Sequence, residues 1–411
     1  MAVIVPVFFL VYAGMMLGRL PGLKVDRAAI ALLGVIALVA SEEITEEQAV
    51  GFVSPDTMSL LFGLMIVSAQ FTMSGLYGEV TRRVVLLKVG PRILLAVLIA
   101  VTGIMAALLT NDVVALAMAP ILLQLCLQRN LNPIPYLLAM ACSANTGSTA
   151  TIIGSPQNML IGQHMSLSFT EFLIYAAAPS ALSLAVIWVV ISLLYRGKWE
   201  LSADNKAAKT AAFQFDRLES FKGLAITAAI IGIFVFTDWP RELVALAAGG
   251  ILLLNARFQS REMLGLVDWQ LLILFIGLFV VNGAFQQTEL PQHWVDSLRA
   301  HGVDFQHPAS IFLTTAILSD LVSNVPAIML LIPFAQDPIA GPAMALAAGM
   351  ASNLIIIGSI ANIIVVDTAA RSGLKITFRE HARTGIPVTI LSLLIAGAWL
   401  WLIASGKAPL V

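Results

Sequence analysis

Charge is scarce in this chain. Charged residues make up 11% of its 411 residues, while hydrophobic residues make up 59%. A soluble domain carries about a quarter charged residues, so this composition, with a mean hydropathy of +0.92, indicates a membrane protein. At roughly 20 residues per span, the chain has room for ten to twelve membrane segments. The longest polar stretch, residues 196–222, is too short for a soluble domain.

Other absences exclude further classes of protein. No glycine-rich phosphate loop occurs, so we expect no ATP hydrolysis by this chain and no nucleic-acid partner. The two cysteines, Cys126 and Cys142, lie in apolar segments without a Cys/His cluster, so we expect neither a metal nor a cofactor. All five histidines map to loops or span ends. The first apolar run, residues 2–17, has no preceding basic residue and no cleavage site, which indicates a retained span.

One pattern of residues occurs in both halves of the chain at constant spacing. The recurring pairs are Gly51/Gly265, Val53/Val267, Leu60/Leu274, Gly63/Gly277, Leu64/Leu278, Val67/Val281, Phe71/Phe285 and Leu76/Leu290, followed by Asn111/Asn324 and Pro120/Pro333. An Ile-Ile-Gly-Ser-x-x-Asn motif then occurs at 152–158 and again at 356–362. Duplicated membrane segments with matching helix breakers are typical of secondary transporters whose site lies between the repeats.

The recurring residues Asn111 and Asn324 each lie where an apolar stretch is interrupted. Residues 92–128 are apolar except at Thr110-Asn111-Asp112, and residues 309–335 are apolar except at Ser323-Asn324. Two complete crossings would place each polar break at a membrane face. A re-entrant hairpin places it at mid-depth, which is allowed when the broken backbone lines a protein cavity.

The basic residues indicate the orientation. With five crossings and one hairpin per half, one face receives only Arg241, Arg299 and Lys407 of the 23 Lys and Arg residues. The other face is therefore predicted to be cytoplasmic, with both termini outside and no Lys or Arg at mid-depth. An odd number of crossings turns the second half upside down.

We therefore predict an all-α polytopic membrane protein of two inverted repeats, each with five transmembrane helices and one re-entrant hairpin. The repeats span residues 1–195 and 222–411, joined by a cytoplasmic linker at 196–221. The first hairpin, about 92–128, enters from the cytoplasmic side, and the second, about 309–335, enters from outside.

Small polar residues gather at these helix breaks and are the predicted substrate and ion ligands. Broken helices present N-termini and free carbonyls that can hold ions at mid-membrane, and Gly154 and Pro156 favour unwinding. Alternatively, such residues cap short helices or join membrane helices. The predicted site residues are Thr110, Asn111, Asp112, Ser143, Asn145, Thr146, Ser148, Gly154, Ser155, Asn158, Ser323, Asn324, Ser352, Asn353, Gly358, Ser359 and Asn362.

Asp112 is the predicted proton carrier. A carboxylate deep in a bilayer costs about 2.5–3.5 kcal/mol on insertion scales and commonly marks a proton relay. The alternative is a helix cap satisfied by nearby amides. The second tip has Val325 at the matching place, and Asp320 is the less favoured second candidate for proton coupling.

At these motifs the chain resembles the ion transporter superfamily, which includes the arsenite-efflux permeases (ArsB), the NhaD sodium/proton antiporters and the divalent anion/sodium symporters. Residues 110–116, Thr-Asn-Asp-Val-Val-Ala-Leu, resemble the Ala-Asn-Asp-Gly-Ala-Ala-Leu tip of ArsB proteins. Residues 323–327, Ser-Asn-Val-Pro-Ala, are similar to their Asn-Asn-Met-Pro-Thr. The Gly-Ser-x-x-Asn segments at 154–158 and 358–362 resemble the superfamily's unwound loops.

The resemblance implies a scaffold and a transport domain that moves elevator-fashion, with the site between the two tips and the two unwound loops. It implies proton-coupled efflux of arsenite or antimonite through a bacterial-type inner membrane. It also implies a homodimer, as in symporter relatives, and a soluble ATPase partner, as in some arsenite-efflux systems. The lipid bilayer, a small inorganic solute and a coupling ion complete the expected partners.

Two alternatives remain open: sodium-coupled transport of a small anion, of the dicarboxylate or sulfate type, and sodium/proton antiport. Dicarboxylate symporters typically carry Ser-Asn-Thr at both tips, whereas this chain has Thr-Asn-Asp and Ser-Asn-Val. An ionised Asp112 would repel an anion. A passive channel would need a continuous polar stripe, which the matched tips do not favour.

Overall fold

The computed structural model describes residues 2–18, 22, 24–201 and 214–406. Part of the predicted linker, residues 202–213, and Lys407 lie outside the described residues. The described residues form helices and no β-strand. The helices are α1 (Ile4–Leu17), α2 (Arg27–Ala40), α3 (Glu46–Phe52), α4 (Pro55–Met73), α5 (Leu76–Val85), α6 (Pro91–Leu108), α7 (Asn111–Gln128), α8 (Pro133–Ser148), α9 (Pro156–His164), α10 (Phe169–Leu194), α11 (Arg217–Phe236), α12 (Arg241–Leu253), α13 (Ser260–Gly265), α14 (Trp269–Gln286), α15 (Leu290–Ala300), α16 (Pro308–Val322), α17 (Asn324–Leu331), α18 (Ala340–Ala351), α19 (Ile360–Arg371) and α20 (Phe378–Ala404).

The chain is an all-helical, multi-pass membrane protein. Seven of its described helices, α4, α6, α7, α10, α11, α14 and α20, are long and apolar enough to cross a membrane. Shorter apolar helices accompany them, among them α1, α2, α16 and α18. Each apolar run of the sequence is helical, because a chain in lipid must satisfy its backbone groups within the helix.

Four short helices were not predicted from the sequence. Helices α3 and α13 precede α4 and α14, and α5 and α15 follow them. Helix α5 carries an ion-paired face, in which Arg82 and Arg83 contact Glu79 at 2.8 and 2.7 Å. These segments are too short and too polar to produce an apolar run, so hydropathy alone passes over them.

Matching glycines allow two pairs of helices to pack closely. A Cβ atom on Gly63 in α4 would lie 2.4 Å from the Ala245 backbone in α12. A Cβ atom on Gly277 in α14 would lie 2.6 Å from Ala31 in α2. Small residues let membrane helices approach closely where larger ones would hold them apart. The recurring glycines Gly63 and Gly277 therefore occupy corresponding helix–helix contacts, each of which joins one half of the chain to the other.

Two helices are broken, and two pairs of helices meet at a sharp turn. Helices α8 and α9 are separated by a short 3₁₀ turn at Ile152–Gly154, and α18 and α19 by another at Ile356–Gly358. We call residues 149–155 the first loop and residues 352–359 the second loop. Helices α6 and α7 meet at residues 109–112, the first tip. Helices α16 and α17 meet at residues 322–325, the second tip.

Candidate functional site

Both tips, the second loop and the start of α9 border one cavity of about 360 Å³. The residues of these segments that line it include Asn111, Asp112, Pro156, Gln157, Ser323, Asn324, Gly358 and Ser359. These residues come from four segments that are far apart in the chain. The structure therefore brings together the two halves at the places where their helices are interrupted.

The first tip directs a carboxylate and an amide toward the cavity. Helix α7 begins at Asn111, whose Nδ2 donates to the Asn145 Oδ1 at 3.3 Å. Asp112 lies in the first turn of α7, where the helix dipole favours negative charge. Its carboxylate also lies near the Ala361 backbone N–H, at the start of α19. The first tip therefore contacts the broken helices of both halves.

The second tip is uncharged and strained. Ser323 has φ 78° and ψ 160°, a conformation that is essentially reserved for glycine and costs about 1–3 kcal/mol. The neighbouring Asn324 is held by two hydroxyls, because its Oδ1 accepts hydrogen bonds from Ser319 and from Ser352, the latter at 3.0 Å. Such strain persists only where the surrounding structure holds it in place.

The two loops are closed by identical asparagine clamps. In the first loop, the Asn158 Nδ2 donates to the Ser148 and Thr151 carbonyls at 3.0 and 2.9 Å. In the second loop, the Asn362 Nδ2 donates to the Ser352 carbonyl at 2.7 Å. The same amide also donates to the Ile355 carbonyl at 3.1 Å. Each clamp therefore satisfies carbonyls that the helix break leaves without an intrahelical donor.

Gly154 is required for the first loop to turn back on itself. A Cβ atom at this position would lie 2.2 Å from the Ser148 carbonyl oxygen. Because that oxygen belongs to the backbone, it cannot rotate away as a side chain would. The first loop therefore needs a glycine for close approach of the backbone.

Asn145 joins the two halves. Its Nδ2 donates to the Asn353 Oδ1 at 3.1 Å and to the Asn362 Oδ1 at 3.3 Å. Its Oδ1 accepts from the Ser359 hydroxyl at 2.8 Å. Asn353 in turn donates to the Thr146 hydroxyl at 3.0 Å. Buried amides must satisfy their hydrogen-bonding groups, so this network fixes the end of α8 against the second loop and α19.

Four oxygens around the first tip and the first loop have no hydrogen-bond partner among the described residues, although they are buried. They are the Thr110 Oγ1, Asn111 Oδ1, Ser155 Oγ and Asn158 Oδ1. An unsatisfied buried oxygen costs about 1–3 kcal/mol. Hydroxyl and amide oxygens are suitable ligands for a small hard cation or acceptors for a hydroxylated solute.

Six of the seventeen predicted site residues line the cavity: Asn111, Asp112, Ser323, Asn324, Gly358 and Ser359. The other eleven, and Asp320, lie outside its lining. The Ser143 hydroxyl donates back to the Ala139 carbonyl of its own helix at 2.5 Å, and the Ser148 hydroxyl donates to the Asn145 carbonyl at 2.8 Å. Asp320 lies in α16 close to Gly358, and its buried Oδ1 is without a partner in the described chain. The structure places Asp320 beside the second loop.

Several cavity residues were not singled out from the sequence. Asp26, Arg27 and Asp268 line the same cavity. Asp26 caps α2 through the Ala29 N–H at 2.9 Å, and Asp268 caps α14 through the Leu271 N–H, also at 2.9 Å. An acidic residue before an apolar run is a recognisable helix start. Nothing local in the sequence, however, indicates that these two starts face the tips.

The contact of His381 with the second loop was also not predicted from the sequence. His381 is 1% exposed in the first turn of α20, and its Nε2 lies 3.2 Å from the Asn353 carbonyl oxygen. Its position at a span end agrees with the sequence. Its contact with the second loop depends on how α20 packs and could not be read from the pattern.

An all-helical membrane protein with paired helix tips around one cavity has the construction of a membrane transporter. Residues 9–347 match the model of the citrate transporter family, CitMHS. The match covers most of the chain, which therefore belongs to this family and to the ion transporter superfamily.

Relatives that span nearly the whole chain are consistent with this membership. A 46 kDa membrane protein of Mycobacterium leprae is 25% identical, over 97% of both chains. The silicon efflux transporter LSI3 of Oryza sativa is 26% identical, over 90% of this chain and 91% of the relative. A putative transporter, arsB, of Dictyostelium discoideum is 22% identical over 91% of this chain and 87% of its own.

A solved structure has a similar fold. The YdaH transporter of Alcanivorax borkumensis superposes with a TM-score of 0.61 and covers 99% of each chain at 12% sequence identity. At this identity the likeness concerns the fold alone. The overall arrangement of the helices is therefore that of a known membrane transporter.

Proposed function

We propose that this chain is a secondary active transporter that exports a small, uncharged hydroxide in exchange for protons, with arsenite or antimonite as the first candidates. The proposal rests on one observation: the Asp112 carboxylate and both helix tips border a single cavity. A binding site at the meeting point of two broken-helix pairs is the arrangement that alternating access requires.

The proposed topology has ten crossings and two re-entrant hairpins in inverted repeats. Two hairpins that enter from opposite faces can share one cavity only if both tips reach mid-depth, which supports this reading. Under it, both termini lie outside an inner, plasma-type membrane. One mouth of the cavity is lined by Asp26 and Asp268, which are exposed. This mouth lies on the side proposed as cytoplasmic, which supports an inward-facing state in the proposed elevator-type cycle.

The balance of charge supports an uncharged cargo. Among the described residues, Asp26, Asp112 and Asp268 line the cavity together with one cation, Arg27, whose Nε donates to the Met15 carbonyl at 3.2 Å. A cavity with more acidic than basic groups repels anions. Hydroxyls and amides at the tips and loops can instead exchange hydrogen bonds with a neutral polyhydroxide.

The names of two relatives support the same chemistry. One is described as a silicon efflux transporter and the other as a putative arsB transporter. Arsenous acid and silicic acid are both weak acids that are largely uncharged at neutral pH. We therefore include silicic acid as a second solute for the same site.

Transport in everted membrane vesicles tests this proposal. With respiration acidifying the lumen, the vesicles should accumulate arsenite, and a protonophore should abolish the accumulation while removal of sodium should not. Vesicles from cells that carry the Asp112→Asn variant should show no proton-driven accumulation. Sodium-dependent counterflow of citrate, succinate or sulfate, with no proton-driven arsenite uptake, would contradict the proposal.

Sodium-coupled transport of a carboxylate is the second candidate function. The family is described as citrate transporters, and the four unpartnered oxygens around the first loop form a set of neutral ligands that suits a small cation. In the vesicle experiment, this function would appear as sodium-dependent citrate uptake that survives the protonophore. Loss of that uptake in Asn111→Ala and Asn158→Ala would then assign the cation to the first tip and the first loop.

A further inference from the structure

A second polar cavity lies apart from the transport site, where the last turn of α10 meets the first turn of α20. Its volume is about 390 Å³, and its lining includes Lys198, Arg379 and Arg383. One carboxylate, Glu380, belongs to the same lining and accepts a hydrogen bond from the Tyr195 hydroxyl at 3.2 Å. We call this cavity the basic pocket.

Among the described residues, the three cations of the basic pocket form no ion pairs. The salt bridges there involve other basic residues, on α5, α15 and α19 and between α12 and α13. Glu380 supplies one negative charge against three positive charges. The pocket therefore has an uncompensated positive charge and presents the two guanidinium groups that bind phosphate most readily.

An apolar groove continues from the basic pocket along α20. The groove shares Arg379 and Arg383 with the pocket and is otherwise lined by apolar residues that include Phe378 and Ile386. These two side chains are 60% and 45% exposed. Basic residues at the end of a membrane helix, followed by exposed apolar side chains, match the two parts of a phospholipid.

We propose that the basic pocket binds the phosphate of an anionic phospholipid, whose acyl chain lies along the groove beside Ile386. Arg379 and Arg383 donate to the phosphate oxygens, and Lys198 adds a third positive charge from the segment that follows α10. The groove favours a lipid over free phosphate, because inorganic phosphate would use the pocket and leave the apolar side chains uncovered.

The opposite face of the same turns of α20 packs against the second loop. His381 contacts the Asn353 carbonyl, and a Cβ atom on Gly385 would lie 2.1 Å from that carbonyl oxygen. The bound lipid and the second loop would therefore hold two sides of one helix segment. Lipid binding is expected to stabilise the folded protein by mass action, since the unfolded chain has no such pocket.

Thermal unfolding of the purified full chain in a neutral detergent tests the proposal. The melting temperature is titrated with dioleoylphosphatidylglycerol, with dioleoylphosphatidylcholine and with inorganic phosphate. The double variant Arg379→Gln/Arg383→Gln removes two of the three charges. The control Lys88→Gln/Lys375→Gln removes two exposed charges outside the pocket. At about 1 kcal/mol per basic residue, the pocket variant should bind phosphatidylglycerol about 30-fold more weakly.

The control variant should respond to phosphatidylglycerol as the unaltered chain does, and phosphatidylcholine should have less effect on both. Ile386→Asn should weaken the response to phosphatidylglycerol and leave any response to inorganic phosphate unchanged, because it alters the groove and leaves the pocket intact. Equal stabilisation by inorganic phosphate would assign the pocket to a free anion and overturn the lipid proposal. An undiminished response of the Arg379/Arg383 variant would also overturn it. Neither result bears on Asp112, so the proposed transport function is tested separately.

Discussion

The two halves of the molecule differ most at their tips and least at their loops. Asn158 and Asn362 clamp the two loops with the same pairs of carbonyl contacts. At the tips, by contrast, Asp112 in the first half corresponds to Val325 in the second. The repeated hydrogen bonds serve the architecture, which each half needs in order to break a helix inside a membrane. The single carboxylate is the unpaired feature, and in the proposed mechanism the proton chemistry depends on it alone.

The largest expected effect comes from removing that difference between the tips. Asp112→Asn should reduce proton-driven arsenite accumulation in everted vesicles to background, because an amide cannot release a proton. The amount of folded protein in the membrane should stay the same. Asp26→Asn is the matched control: it neutralises another cavity carboxylate, and asparagine caps a helix as well as aspartate does. Full proton-driven activity in Asp112→Asn would remove this residue from the mechanism.

A slightly smaller effect is expected when Gly154, in the first loop, is replaced by a residue with a side chain. Gly154→Ala places a methyl group against the Ser148 backbone oxygen and should destabilise the fold by about 3 kcal/mol. The measurement is the yield and melting temperature of purified protein. Gly250→Ala is the control, because no atom lies within 4 Å of its added Cβ, and it should melt normally or slightly higher. A normal melting temperature for Gly154→Ala would show that the loop can relax.

Removing each asparagine clamp in turn should have different effects on stability and on transport. Asn158→Ala and Asn362→Ala both leave two buried carbonyls without a donor, at a cost of about 1–3 kcal/mol. Asn362 also accepts from Asn145, whereas the Asn158 Oδ1 is unpartnered. We therefore expect Asn362→Ala to lower the melting temperature more and Asn158→Ala to impair transport more.

A control variant and the relative size of the two effects test this prediction for the clamps. Gln48→Ala, which alters an exposed capping box on α3, should change neither melting temperature nor transport appreciably. If both clamp variants lose stability and transport in equal proportion, the free oxygen of Asn158 has no separate role in binding.

The smallest effect is expected from glycine substitutions at the two tips, which should change stability in opposite directions. Ser323→Gly removes a strained positive φ and should raise stability by about 1 kcal/mol after the flexibility of glycine is counted. Thr110 has φ −65°, so Thr110→Gly relieves nothing and should lower stability by about 0.5–1 kcal/mol. Melting temperatures of the two variants decide the matter, and a loss of stability in both would mean that Ser323 is not strained in solution.

Much of the architecture could be predicted because its signals are local. The apolar stretch 92–128, interrupted at Thr110-Asn111-Asp112, predicted α6 and α7 at nearly their observed bounds, since a span needs only length and hydropathy. Gly154 and Pro156 predicted the break between α8 and α9, because both residues act on the backbone at their own position. The inverted orientation of the halves and the depth of the tips remain predictions from the distribution of basic residues.

The candidate site was predicted only in part. Asn111, Asn145 and Ser359 were recognised as small polar residues at helix breaks, and the structure joins them through hydrogen bonds. Ser143 belongs to the same polar run, yet it lies on a different side of α8 and donates to its own helix. A run of polar residues shows that a helix is interrupted but not which side chains face the opening.

The sequence by itself determined that this chain is a multi-pass helical membrane protein with a duplicated pattern of helix breaks. Composition, hydropathy and helix-breaking residues act locally, so they can be read along the chain. Only the tertiary structure decided that Asp26, Arg27 and Asp268 share a cavity with Asp112, and that His381 contacts the second loop. These contacts depend on how distant helices pack against one another, and close packing of that kind has no local signal in the sequence.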